Sequence, residues 1–366
     1  MPGAMSDWRI EPLPPEGSLD RSRAVLGLRN LFREVFGVDR SDRHWAWKYF
    51  EAPRSRGLTL VAIRGDDWSQ PIGQIGALVL PGVFNGQPLV TTHGFDLMVH
   101  PRVRGGLQHD GVYPSLMRRW ARAIWELEPE ETRRPSIWAY GFPGLVPSRL
   151  AVRMGLYRRL YRVLSYHTDW SGASPPSSWT CRVVPVGWNE AAWMNRQWAR
   201  YGGMDNRPRT LKDARYMQWR YARCPDADYR LWAVKRHRLR DKGWLVTRCA
   251  MAQTPSLGAS APLEHQVIDA LVPPTWAAGQ AWGTILNALA MASGQPRWMS
   301  WAATGHACER KEPTLIEAAE FRTGHLVGGP TSVWEDLSGR GRVDLTGGHP
   351  VKGVGPLFHP GDTDVF

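Results

Sequence analysis

Trp47-Lys48-Tyr49, with Pro53 after three further residues, returns as Trp219-Arg220-Tyr221 and Pro225. The offset in numbering is 172 (219 − 47). An apolar run follows each copy, Leu60-Val61-Ala62-Ile63-Arg64 in the first and Leu231-Trp232-Ala233-Val234-Lys235 in the second. A repeated order at a fixed offset implies a duplicated unit. In 366 residues it predicts two related domains of about 170 residues each. The segment SGASPPSSW at 171–179 is rich in Ser and Pro, has no apolar run, and is the best linker in the chain. The expected division is therefore a first domain at 1–168, a linker at 169–179, a second domain at 180–345, and a Gly- and Pro-rich tail at 346–366.

Each half mixes helix and strand patterns. Apolar residues spaced by three and four predict an amphipathic helix from Ser18 to Phe36, stopped by Gly37. Strands are predicted at Leu58–Ile63, Ile72–Leu80 and Leu89–Val99, with Asn85-Gly86 as a hairpin turn between the last two. A helix at Val112–Leu127, a strand at Ser136–Phe142, a short helix at Pro147–Met154 and a closing strand at Leu156–Tyr166 complete the first half. The second half opens with a helix around Trp188–Tyr201 and carries a strand at Val267–Val272. The predicted class is α/β of the mixed α+β kind, each half a mostly antiparallel sheet flanked by helices.

Charge and cysteine use narrow the function. A net charge of +12 and a pI near 9.9 favour anionic partners such as phosphorylated cofactors or nucleic acid. Four scattered cysteines without C-x-x-C exclude a zinc ribbon and a disulfide scaffold, and suit a reducing, cytoplasmic setting. No metal site is expected. The N-terminus has no basic-plus-apolar signal, and no apolar run approaches the ~18 residues of a spanning helix.

The stretch 89–117 carries the chemistry. An apolar strand runs into His100-Pro101, then the Gly- and Arg-rich loop 102–111, then a helix. Glycines allow close approach of the main chain, and amides at a helix N-terminus hold phosphate oxygens. Val99-His100-Pro101, Arg104-Gly105-Gly106 and Gly111-Val112-Tyr113-Pro114-Ser115-Leu116-Met117 resemble the GNAT superfamily of acyltransferases, in its bacterial branch with a duplicated fold. Tyr140-Gly141-Phe142-Pro143 with Met154-Gly155-Leu156 is similar to the strand, loop and short helix that close the acceptor side in that family.

The resemblance implies two tandem GNAT-like domains and an acetyl-CoA or other acyl-CoA donor. It implies a donor contact surface of Met98, Val99, Arg104, Gly105, Gly106, Gly111 and Val112, and direct attack by the amine of a small-molecule acceptor, in bacterial specialised metabolism. The family often places a tyrosine four residues before Gly155 as proton donor to the leaving thiolate; this chain has Ala151 there, and Tyr113, Tyr140 or Tyr157 could replace it. Leu107-Gln108-His109-Asp110 lengthen the loop. The second half, with Ala278-Gly279-Gln280 and no arginines at the matching loop, is expected to bind no CoA.

Asp96 and His93 on the strand are the candidate proton acceptors, with Tyr140 the third catalytic candidate. Strand alternation predicts Asp96 and Met98 on one face and Phe95 and Leu97 on the other. His100 reads as a turn residue. Two other readings stay open. One is an aminoacyl-tRNA-dependent transferase, to which the basic charge and Arg118, Arg119, Arg122, Arg158, Arg159 and Arg162 point. The other is a non-catalytic ligand-binding protein on the same fold.

Overall fold

A computed structural model of the protein describes residues 7–55, 57–84, 86–104, 111–126, 137–140, 150–151, 153–155, 163–169, 181–204, 209–236, 240–251, 263–273, 279–293, 298–304, 334–335 and 342–343. The chain divides into two compact units. One takes Met1–Pro81, Leu89–Arg159 and Pro330–His349, the other Gly82–Pro88, Leu160–Gly329 and Pro350–Phe366.

The first unit runs β1 (Trp8–Pro12), α1 (Leu19–Phe36), α2 (Asp42–Tyr49), β2 (Leu58–Arg64), β3 (Gly73–Phe84), β4 (Gln87–Val99), a single 3-10 turn (Pro101–Val103), α3 (Val112–Trp125) and β5 (Ile137–Tyr140). Its sheet has the order β1-β2-β3-β4-β5. The β1–β2 and β2–β3 pairs are antiparallel, and β4–β5 is parallel. Ser18 caps α1 by accepting from the Arg21 amide, and Gly37 ends it in the left-handed conformation. The apolar stripe of α3 (Val112, Leu116, Met117, Trp120, Ala121 and Ile124) is buried against Leu60, Ala62, Ile75, Ala77 and Val99 of the sheet. Gly73 permits the approach: a Cβ there would lie 2.9 Å from both Leu116 and Val112.

The second unit repeats this order with β7 (Cys181–Val186), α4 (Ala191–Tyr201), α5 (Ala214–Met217, continued as a π-turn over Gln218–Ala222), β9 (Tyr229–Arg236), β10 (Arg240–Met251), β11 (Leu263–Leu271), α6 (Gly279–Ala292) and β12 (Trp298–Thr304). The offset of the sequence echo recurs in the elements. It separates the starts of α1 and α4 (191 − 19), the starts of α2 and α5 (214 − 42) and the ends of β4 and β11 (271 − 99). The short β8 (Arg209–Thr210) pairs with Val83 and Gly82 at the tip of β3. A hairpin of β13 (Trp334–Glu335) and β14 (Arg342–Val343) comes last.

The closing strand expected at Leu156–Tyr166 is described as β6 (Val163–Asp169), with 156–162 outside the described residues, and it belongs to the second sheet. That sheet has the order β6-β12-β11-β10-β9-β7. β6 runs antiparallel to β12, from Val163↔Thr304 to Asp169↔Trp298. The division thus falls between Arg159 and Leu160, before the expected boundary at 168. An apolar strand pattern shows which face is buried but not which sheet edge accepts the strand, so the sequence could not place it. The expected linker 171–179 and tail 346–366 lie outside the described residues.

Candidate active site

Among the described residues the parallel pair β4–β5 runs from Val90↔Ile137 to His93↔Tyr140, and β4 itself goes on to Val99. In that last stretch of β4, Asp96 has φ +45, in the left-handed region. A non-glycine residue seldom enters that region except for Asp and Asn, and within a strand it marks a bulge. The bulge breaks the alternation expected from the sequence. Phe95 and Asp96 both reach Tyr49 of α2, Phe95 edge-on at 4.9 Å between ring centroids and Asp96 by accepting from Oη at 2.7 Å. Leu97 and Val99 join the α3 side with Ile75 and Ala77. Phe95 and Leu97 are therefore not the same-face pair that period two predicts.

The side chain of Asp96 is 6% exposed and meets three donors. Arg40 Nη1 lies 2.7 Å from Oδ2, Lys48 Nζ 3.1 Å from Oδ1, and Tyr49 Oη completes the set. Tyr49 in turn accepts from Gln74 Nε2 at 2.6 Å and stacks on Trp45 at 4.4 Å. Burial, followed by the Asp96 charge, pushes the Tyr49 phenol well above its ordinary range, so it stays protonated and donates. Arg40 lies over the Phe32 ring at 4.1 Å and Lys48 over Phe95 at 4.8 Å.

The second unit carries the same cluster. Lys212 Nζ lies 2.9 Å and 3.1 Å from the two oxygens of Asp269, and Tyr221 Oη donates to Oδ2 at 2.5 Å. Lys212 and Tyr221 stand at the offset of the echo from Arg40 and Tyr49 (212 − 40 and 221 − 49), and Asp269 stands one place beyond it from Asp96 (269 − 96). In this sheet the parallel strands β11 and β12 pair from Glu264↔Trp298 to Val267↔Trp301, with no further pair between them although β11 runs to Leu271 and β12 to Thr304. The β10–β11 register shifts there, leaving Ile268, next to Asp269, without an opposite number. The echo of Trp-Lys/Arg-Tyr pointed to α2 and α5. The aspartates and Arg40/Lys212 were missed as a repeated set, although nearly the same offset ties them to that echo.

The remaining expected residues fall as follows. His93 is buried at the last described position of β4 paired with β5, opposite Tyr140 in register. Met98 and Val99 are buried. Arg104 turns back to donate from Nε to the Val99 carbonyl at 2.8 Å, closing the end of β4. His100 is the turn residue expected: Nδ1 accepts from the Arg102 amide at 3.2 Å, and Nε2 lies 2.7 Å from Glu34. Gly111 begins α3 without a side-chain cap. Pro114 at the third helical position has no N–H, so the first-turn amides are those of Val112 and Tyr113. Gly105, Gly106, His109 and Asp110 lie outside the described residues, as does the Tyr140 side chain. Among the described residues no three His, Cys, Asp or Glu side chains gather as a metal site, and no helix is long and apolar enough to cross a membrane.

The first unit is thus a mixed sheet with a parallel β4–β5 pair, a left-handed residue near the end of β4, and then a helix without a side-chain cap. A probable N-acyltransferase from Enterococcus faecalis V583 superposes with TM-score 0.60 at 10% identity, over 84% of this chain and 70% of its own. A GCN5-related N-acetyltransferase from Anabaena variabilis ATCC 29413 superposes at 0.56 and 13% identity, over 85% and 71%. A further one from Kribbella flavida gives 0.51 and 12%, over 86% and 68%. No protein-family model and no curated protein matches the chain. The chain has the fold of the GNAT acyltransferases.

Proposed function

We propose that the protein is an N-acyltransferase that moves an acyl group from acyl-CoA to the amine of a small molecule, with the donor against the end of β4 in the first unit. The observation that supports this reading is the course of β4 to Val99 and then, after Arg104, the start of α3 at Gly111 without a side-chain cap, within a fold shared with N-acetyltransferases. The last stretch of β4 can pair with the amide-bearing arm of an acyl-CoA. Arg104 and the N-terminus of α3 suit its phosphates.

The thioester supplies the acyl group, and the chain's own residues orient the amine and move protons. In this reading His93, the last described position of β4 paired with β5, takes the proton of the attacking ammonium. Tyr140 protonates the departing thiolate. Asp96, held by three donors, acts as a positioning residue.

The test is thermal unfolding with and without acetyl-CoA. At a hundredfold excess over Kd the donor should add about 2.7 kcal/mol of stability, read as a rise in Tm. Arg104→Glu should abolish that rise. If no CoA ester shifts Tm and the protein co-purifies with material absorbing at 260 nm, the aminoacyl-tRNA reading takes its place. The exposed Arg119 and Arg122 on α3 are the observation that favours it. Asp96→Asn should weaken acetyl-CoA binding and leave the shape of the pH–rate profile unchanged. A lost limb in that profile would make Asp96 the base instead.

A further inference from the structure

In the second unit, Cys249 on β10 stands opposite His265 on β11, with Sγ 3.1 Å from Nε2. The thiol is exposed. His265 is 8% exposed, and its Nδ1 is buried without a hydrogen-bond partner. Thr247 shares a face of β10 with Cys249 by period two. Arg230 of β9 pairs with Thr247, so its exposed guanidinium is on the face of the dyad. Burial, and then the Arg230 charge, hold the imidazole below its usual range, which keeps it neutral and able to accept a proton near neutral pH. An exposed sulfur touching a proton acceptor beside a fixed cation is the environment of a nucleophilic cysteine. The other described cysteines differ: Cys181 is buried, its thiol pushed up to about 11 by that burial, and Cys224 is half-buried.

We propose that Cys249 is a modification site for hydroperoxides, with His265 as the base that takes the thiol proton. The sulfur attacks one peroxide oxygen and the O–O bond breaks. The leaving oxygen takes the proton from the imidazolium and departs as water or an alcohol. Sulfur is oxidised by two electrons to the sulfenic acid, and the peroxide is reduced by the same two. A low-molecular-weight thiol then condenses with the sulfenic acid, releasing water and leaving a mixed disulfide. His265 precedes Asp269 by four positions, about 13 Å along an extended strand, so the dyad is separate from the carboxylate cluster of its own unit.

The experiment exposes the full chain to hydrogen peroxide with dimedone as the trap, followed by peptide mapping. The dimedone adduct should form at Cys249 about tenfold faster than at Cys224, a factor below the ~10²–10⁴ that a positioned acid or base supplies in a closed site. Cys181 should stay unlabelled. His265→Gln should bring the Cys249 rate down to that of Cys224, and Arg230→Gln should slow it severalfold. Protection of Cys181 reports whether each variant is folded. Equal labelling of Cys249 and Cys224 in the unaltered protein overturns the proposal, as does a Cys249 rate that neither substitution changes.

Discussion

Asp269 has no exposed surface, yet it keeps its charge partners: Lys212 reaches both oxygens, Tyr221 donates to one, and the Ala270 amide donates to the other at 2.8 Å. A buried carboxylate saturated in this way is most costly to disturb by half. Tyr221→Phe removes one donor and should lower unfolding stability by about 1–3 kcal/mol. Asp269→Ala strands Lys212 without its counter-charge and should cost about 3–5 kcal/mol, both read from urea denaturation. His265 gives a prediction of opposite chemistry. Its folded-state pKa is depressed, so the unfolded chain binds more protons on the acid side and stability falls as pH drops through about 6.5. His265→Gln should flatten that acid limb in a Tm-against-pH series. None of these partnerships was visible residue by residue in the sequence. Asp96 and Tyr49 are separated by a helix end and two strands, and only the fold brings them together.

Helix α1 was legible to its ends, because Ser18 and Gly37 are its chemical stop signals and the apolar spacing between them is regular. β2, β4 and α3 were legible to within two residues, and β3 up to its last four, Pro81–Phe84. β1 was not: WRIEP is short, polar at one end and closed by proline, which is how an edge strand reads. β10 escaped because its opening charges, Arg240-Asp241-Lys242, hide the apolar run, and because Gly243, at φ +118, bends the strand where its Cβ would strike the Leu271 carbonyl. The left-handed turn at Asp96 was not legible: it puts Phe95 and Asp96 together at Tyr49, against simple alternation, and a bulge leaves no mark in a hydrophobic pattern. Helix-to-loop packing supplies a test at this scale. A Cβ on Gly27 of α1 would lie 2.5 Å from the Ser69 carbonyl and 2.6 Å from Pro71. Gly27→Ala should therefore destabilise the first unit by about 1–3 kcal/mol despite its better helix propensity, in the same denaturation assay.

Across the whole molecule, several neutral acids are buried: Cys181, raised from 9.0 to about 11, and Tyr49, Tyr113 and Tyr229, each held above the ordinary phenol range chiefly by burial. Their folded-state pKa values exceed those of the open chain. The stability they add is complete below the unfolded value and is lost as pH rises through the folded one. Tm should therefore decline from about pH 9 upward, and Cys181→Ala should make the first part of that decline shallower. Duplication was legible in the repeated Trp-Lys/Arg-Tyr echo, but the allocation of β6 was not. That allocation has a consequence in time. A ribosome delivers Asp169 well before Trp298, its partner in register. At ~5–20 residues per second, the roughly 130 residues of chain between the two keep β6 waiting roughly 6 to 26 seconds for the strand that receives it. During that interval it is an orphan edge, open to any neighbouring nascent chain, and the arrival of β12 is what retires the hazard.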